Sequence, residues 1–266
     1  MAMSRTSETE TKAGSKQNRV LSGVFSYSVI VVITVVVTLI AAITLGMILR
    51  HRAYVKASRN ERDSLLEIAE ALEVNTSNSG SGISASEIPD SYISPFDLEM
   101  RNINPDYFCW IRIDDTAVDY PVVRGSDNEK YLDVSFYGEK NRLGSLFLDY
   151  RCNGSNFPHL IIYGHNSREG DMFGGLKQLL NEQYLEEHPI ITLKINDQIV
   201  EYEIFSARTT DTRDPAYFLD FSDFGSFREF LERNGAPEDA VQILTLSTCV
   251  SGNNPDERVI IQAALH

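Results

Sequence analysis

From Val20 to Leu49 the chain runs thirty residues without one charged side chain. A helix of about 20 apolar residues already crosses the hydrocarbon layer of a membrane. The apolar region of a cleaved signal peptide covers only about 7–15 residues, so this longer run reads as an uncleaved anchor. Arg5, Lys12, Lys16 and Arg19 precede it, and Arg50, Arg52, Lys56, Arg59 and Arg62 follow it. With positive charge on both sides, the flanks leave its orientation open.

Once the span is set aside, a chain of 266 residues with 42% hydrophobic content can bury one sizeable core, so one main domain is expected. Residues 1–50 hold five Lys/Arg against two Asp/Glu, a charge of +3, so with −14 for the whole chain the remainder carries −17. So acidic a domain repels a phosphate backbone, which excludes nucleic acid as a natural partner. The three cysteines, Cys109, Cys152 and Cys249, form no CxxC and cannot all pair within one chain.

Residues 61–73, ERDSLLEIAEALE, place Leu65, Leu66, Ile68, Ala69 and Leu72 at helical spacing, a packing face or a stalk. Residues 74–87 turn to Ser, Gly and Asn, the texture of a flexible linker spanning about 20 Å. From residue 88 onward eight short apolar runs follow: CWIRI, VDYPVVR, SLFLD, HLIIYGH, IITLKI, QIVEYEIFSAR, VQILTLSTC and RVIIQAAL. Many are rich in Val, Ile, Tyr and Thr, and turn residues bound them, so the pattern predicts a mostly antiparallel barrel or sandwich. Helical patterns interrupt the runs at 127–133, 173–188 and 222–234. Too few helices separate the strands for a doubly wound sheet.

In VQILTLSTC the strand stops at Cys249, residues 250–257 form a turn by composition, and a strand resumes at Arg258. A hairpin built this way sets Cys249 and Arg258 side by side at the sheet rim. A guanidinium there favours thiolate over thiol and can hold a developing oxyanion. Cysteine chemistry also needs a proton carrier. His51 sits beside the span, His266 is terminal, and His188 closes a charged helix as a cap. Of the remaining two, His159 opens the strand HLIIYGH and His165 ends it, facing a loop. If that strand neighbours the cysteine strand, His165 and Cys249 meet at one rim. Against this stands the plain reading of a free cysteine as a small buried hydrophobe. Cys109, beside Trp110, reads as core, and Cys152, in the turn RCNGS, as an exposed and incidental thiol. No HExxH, Walker loop or GxGxxG is present, so no metal or nucleotide cofactor is expected.

YGHN at 163–166, TLSTC at 245–249 and the strand begun by Arg258 resemble the catalytic signature of the sortases. YPVVRGSDNEKYL, GSLFLDYR, YGHNSREGDMFGGL and SDFGSFREFLERN are most similar to class B of that family. The resemblance implies an eight-stranded barrel over 88–266 behind a membrane anchor at 20–49. It also implies a cytoplasmic tail at 1–19 and a catalytic domain outside the cell of a Gram-positive bacterium. It further implies a cysteine transpeptidase that opens its reaction as a thiol peptidase does. Cys249 would be the nucleophile, His165 the general acid and base, and Arg258 the holder of substrate and oxyanion. Substrate contacts would fall on Asn128, Leu132, Tyr163, Tyr217, Phe218 and Ser247. Asn128 reads equally as a helix cap, and Leu132 and Phe218 as packing residues.

The partners so implied are surface proteins carrying an NPxTx-type sorting signal and an amine of peptidoglycan or of another protein. Two departures stand out. Val250 replaces a residue that is often acidic in class B, and the loop from Cys249 to Arg258 is one residue short of the best-known spacing. Rival readings are a pilin-polymerising sortase, an inactive peptide-binding barrel and a plain cysteine hydrolase. Residues 93–100, ISPFDLEM, are a poor match to the lid of the first.

Overall fold

A computed structural model describes residues 6–78, 93–152, 157–250 and 254–266. They fall in two compact units, residues 1–53 and residues 54–266. Both draw on one long helix, α1 (Thr6–Asn78). In the first unit every side chain from Val29 to Leu49 is exposed although nearly all are apolar. Such a surface is stable in hydrocarbon rather than in water. Among the described residues, Val29–Leu72 is the stretch long and apolar enough to cross a membrane.

The second unit begins with the amphipathic half of α1. Its Val55, Ser58, Leu65 and Ala69 are buried, spaced so that they share one face. Leu65 and Ala69 pack with Phe96, Trp110, Phe136 and Phe147, so this segment is a packing face of the domain rather than a stalk. The helix runs on to Asn78 and takes up the first residues expected as linker, because no Gly or Pro stops it before Gly80. Positions 79–87 of that expected linker lie outside the described residues.

Helix α2 (Pro95–Ile103) was not anticipated. Ser94 caps it, its Oγ accepting from the Asp97 amide at 3.0 Å, Pro95 opens it, and Phe96 and Met100 are buried.

The eight runs become β1 (Tyr107–Arg112), β2 (Asp119–Val123), β3 (Leu146–Leu148), β4 (His159–Tyr163), β5 (Ile190–Ile195), β6 (Gln198–Asp211), β7 (Gln242–Cys249) and β8 (Glu257–Leu265). They close into a barrel in the order β1-β2-β3-β4-β7-β8-β6-β5. Two neighbouring pairs, β2 with β3 and β4 with β7, are parallel, and the rest are antiparallel. Ile111, Val122, Leu148, Ile161, Leu193 and Leu246 are fully buried members of the main core.

Two of the three expected helices come out differently. Residues 127–133 give only a 3-10 turn, Lys130–Leu132. Residues 173–188 split into a 3-10 turn, Leu176–Leu180, and α3 (Glu182–Glu187), because the Asn181 side chain accepts from the Tyr184 amide and starts a new helix. The third is α4 (Phe224–Asn234), with a capping box between Asp223 and Ser226 and left-handed Gly235 at its end. Its Phe227, Phe230 and Leu231 pack on Ile243 of β7 and Ala264 of β8.

Candidate active site

Parallel pairing sets Tyr163 of β4 opposite Ser247 of β7, so both strands run out at the same rim. Two residues past each lie His165 and Cys249. Antiparallel pairing then sets Cys249 opposite Arg258 of β8. The three residues singled out in the sequence therefore share one rim, and all three line one cleft of about 510 Å³.

Gly164 makes the close approach possible: a Cβ there would sit 2.4 Å from Leu146 Cδ2 and 2.7 Å from Phe173 Cδ2. The His165 Nε2–H donates to the Leu132 carbonyl at 2.7 Å. Since a carbonyl only accepts, this bond fixes the tautomer of a neutral ring and leaves Nδ1 bare for a proton. Next in the chain, the Asn166 side-chain amide donates to the carbonyls of Cys249 at 2.6 Å and Val250 at 2.7 Å. The loop carrying the histidine is thereby stitched to the end of the cysteine strand.

Cys249 is exposed, whereas Cys109 and Cys152 are buried. Burial pushes the Cys109 thiol well above its ordinary value. Cys152, expected at the surface, is instead wholly enclosed. Its Sγ donates to the His159 carbonyl, and burial pushes its thiol up to about 11. That leaves Cys249 as the accessible thiol. Arg258 Nη1 donates to the carbonyls of Pro255 at 2.5 Å and Glu257 at 3.0 Å, which braces the guanidinium against its own turn. A guanidinium carries five N–H groups, so Nε and Nη2 still have donors to offer.

Asn128, Leu132, Tyr163, Tyr217 and Ser247 also line the cleft. Phe218 does not. It lines a separate cavity with Pro215, Glu229 and Phe230, and its ring meets Phe221 edge-on. Asn128 is not a cap either: Glu129 holds the N-cap position of the 3-10 turn, and the amides of Glu129 and Lys130 donate to the Asp127 carboxylate. Asn128 instead donates to Asp149 at 3.0 Å and accepts from the Tyr150 amide. The Tyr217 and Ser247 hydroxyls bond each other at 2.8 Å.

The sequence reading missed Phe147, Arg151, Thr212 and Thr248, which share the lining. It also missed the wholly buried carboxylate of Asp149 behind them. Asp149 accepts two bonds from the Arg151 guanidinium, at 2.9 and 2.8 Å, and one from the Tyr163 hydroxyl at 3.0 Å. Burial alone would raise this carboxyl, but the bonds from Arg151 and Tyr163 outweigh burial and hold it below the ordinary range. The same burial, with the Asp149 charge, pushes the Tyr163 phenol up, so it stays a donor.

His159 and His188 are accounted for elsewhere. His159 is buried and bonded to the Phe218 carbonyl and Thr245 Oγ1, each at 2.8 Å. His188 ends α3, its Nδ1 donating to the Tyr184 carbonyl. Among the described residues no group of three or more His, Cys, Asp or Glu side chains is arranged to hold a metal ion.

A closed eight-stranded barrel with Cys, His and Arg on one rim defines a class of cysteine enzyme, and comparison with known proteins agrees. The sortase domain family matches residues 111–266, and the chain belongs to the sortase family. Its branch is class B. Sortase B of Listeria monocytogenes is 32% identical over 179 residues, covering 63% of this chain and 72% of the relative. The Staphylococcus aureus sortase B–substrate complex superposes with a TM-score of 0.65 at 26% identity, covering 78% of this chain and 97% of that one. A sortase B structure complexed with triglycine gives the same TM-score and identity, covering 78% and 98%.

Proposed function

We propose that the chain is a membrane-anchored cysteine transpeptidase. In this reading it cuts an NPxTx-like sorting signal after Thr and joins the protein to an amine of the cell wall. The observation that carries the proposal is the rim itself: strand register puts Cys249 opposite Arg258, and parallel pairing brings His165 to the same cleft.

The Cys249 thiolate attacks the Thr carbonyl carbon, and Arg258 donates to the oxyanion that forms. As the C–N bond breaks, the His165 imidazolium gives its Nδ1 proton to the departing amine, leaving a thioacyl enzyme. An incoming amine then attacks the thioester carbonyl, His165 takes a proton from it, and Cys249 leaves as thiolate. The bond between Nε2 and the Leu132 carbonyl keeps Nδ1 as the working nitrogen throughout. Tyr163, Asn128, Leu132, Tyr217 and Ser247 line the cleft and would contact the signal. Phe218, from its separate cavity, would do so only after moving.

The substrate and triglycine complexes of sortase B proteins support a peptide donor and an amine acceptor. The apolar helix supports the anchor; the orientation in this reading, N-terminus inside and barrel outside, is what membership of the family implies. The test incubates the full chain in detergent with a fluorogenic NPxTx peptide, with and without triglycine, and follows products by mass spectrometry. Cleavage after Thr, a thioacyl adduct on Cys249 and an amide to triglycine are expected. Hydrolysis alone in the presence of amine would make it a cysteine hydrolase, and no adduct across a motif library would leave a peptide-binding barrel.

A further inference from the structure

Four residues of α1 that take no part in the cleft lie against the two loops that set His165. The first loop, residues 164–175, carries His165 itself and is folded tightly on its own backbone. Phe173 N donates to the His165 carbonyl at 3.0 Å, and Asn166 bridges to Met172. A Cβ on Gly174 would meet the Ser167 carbonyl at 2.1 Å. Met172 is held at a φ of 54°, a strained value for a side chain that is also buried.

Helix α1 grips this loop at its far end. Arg59 Nε donates to both oxygens of the buried Asp171 carboxylate, at 2.9 and 3.1 Å, and Nη2 reaches the Glu169 carbonyl. Arg62 donates to the Tyr120 hydroxyl, which in turn accepts from the Met172 amide.

The second loop, residues 133–144, starts right after Leu132, whose carbonyl fixes the histidine tautomer. Glu61 accepts from the Tyr137 amide at 3.2 Å, and the Ser64 and Tyr137 hydroxyls bond at 3.1 Å. The loop closes on the peptide that carries that carbonyl: a Cβ on Gly144 would lie 2.2 Å from Tyr131 O and 2.8 Å from Leu132 O. The imidazole and its acceptor are thus braced from behind by consecutive turns of one helix.

We propose that Arg59, Glu61, Arg62 and Ser64 are positioning residues for His165, acting through Asp171, Tyr120 and Tyr137. The helix between the apolar segment and the barrel thereby sets how well the histidine is aimed at Cys249. This rests on the transpeptidase reading for its effect on turnover but not for its effect on the Cys249–His165 pair. The expected signature follows from geometry: a displacement of about 1 Å in an aimed group can cost about a hundredfold in rate while leaving binding intact.

The test uses the full chain in detergent micelles, comparing wild type with Arg59→Ala, Glu61→Gln and the reversed pair Arg59→Asp with Asp171→Arg. Two readouts are taken: kcat and KM for the NPxTx peptide with triglycine, and the pH profile of iodoacetamide capture at Cys249. The buried state of the other two cysteines confines that label to Cys249. Arg59→Ala is expected to lower kcat about tenfold with KM within about twofold, and to displace the alkylation profile along the pH axis. The reversed pair is expected to recover most of both. A lowered melting temperature with kcat and profile unchanged would reduce these contacts to scaffolding and overturn the proposal. So would a reversed pair that folds as wild type yet stays as slow as Arg59→Ala. If wild type turns over no peptide, the transpeptidase reading fails, while the alkylation profile still decides this one.

Discussion

Gly164 stands between the last residue of β4 and His165, pressed against Leu146 and Phe173. A methyl group there must displace one of them, and overpacking of this kind costs about 1–3 kcal/mol. Gly164→Ala is therefore expected to lower the melting temperature and slow turnover together, both read on one preparation. Within the trio, Cys249→Ala is expected to abolish peptide turnover, and His165→Ala nearly so. Arg258→Lys is expected to lose about a hundredfold, because a point charge cannot replace the forked donor; near-normal cleavage by Cys249→Ala would sink the mechanism outright. Cys249 and Arg258 were legible as neighbours because one hairpin joins their strands, whereas His165 joined them only on condition that β4 pairs with β7, which only the fold shows. Asp149 was not: in LFLDYR it reads as a strand end, and its burial depends on Asn128, Arg151 and Tyr163 closing over it.

His159 shows what one element-linking side chain does. It joins β4 to β7 through Thr245 and to the segment ahead of α4 through Phe218, with its ring 4.8 Å from that of Phe230. Burial drives its pKa down to about 4, with the Phe218 carbonyl and the more distant Asp149 pulling weakly the other way. A histidine depressed in the folded state binds its proton more readily when unfolded. Its contribution is whole above about pH 6.5 and is lost as pH falls toward 4, on the order of 3 kcal/mol at most. Melting temperature is expected to drop across that window, and His159→Gln to flatten the drop; an unchanged slope in the variant would assign the loss to other groups. At this scale the strands were readable from turn-bounded β-branched runs. The helix expected over 173–188 was not, since Leu176, Leu179, Tyr184 and Leu185 keep helical spacing across the break that Asn181 imposes.

For the molecule as a whole, the exposed apolar band from Val29 to Leu49 predicts stable membrane association. Asp costs about 3 kcal/mol at the centre of a spanning helix, so Val35→Asp with Leu39→Asp is expected to move the chain into the carbonate-extractable fraction. Retention of that variant in the pellet would show that another surface holds the membrane. The long apolar helix could be read from composition alone. The compact unit that holds the barrel takes in residues from Tyr54 onward, because the partners of Leu65 and Ala69 lie far along the chain at Phe96, Trp110 and Phe136.

Because β1 pairs with β5, the barrel closes and, among the described residues, the sheet has no free edge strand. A visiting peptide finds no row of unpaired backbone groups to extend, so it cannot be recognised as an added strand. Whatever sequence is chosen must be read by side chains and loops at the rim, which can change without touching the ladder beneath. Neighbouring copies of the barrel likewise offer each other no strand template, and so can sit densely without zipping together.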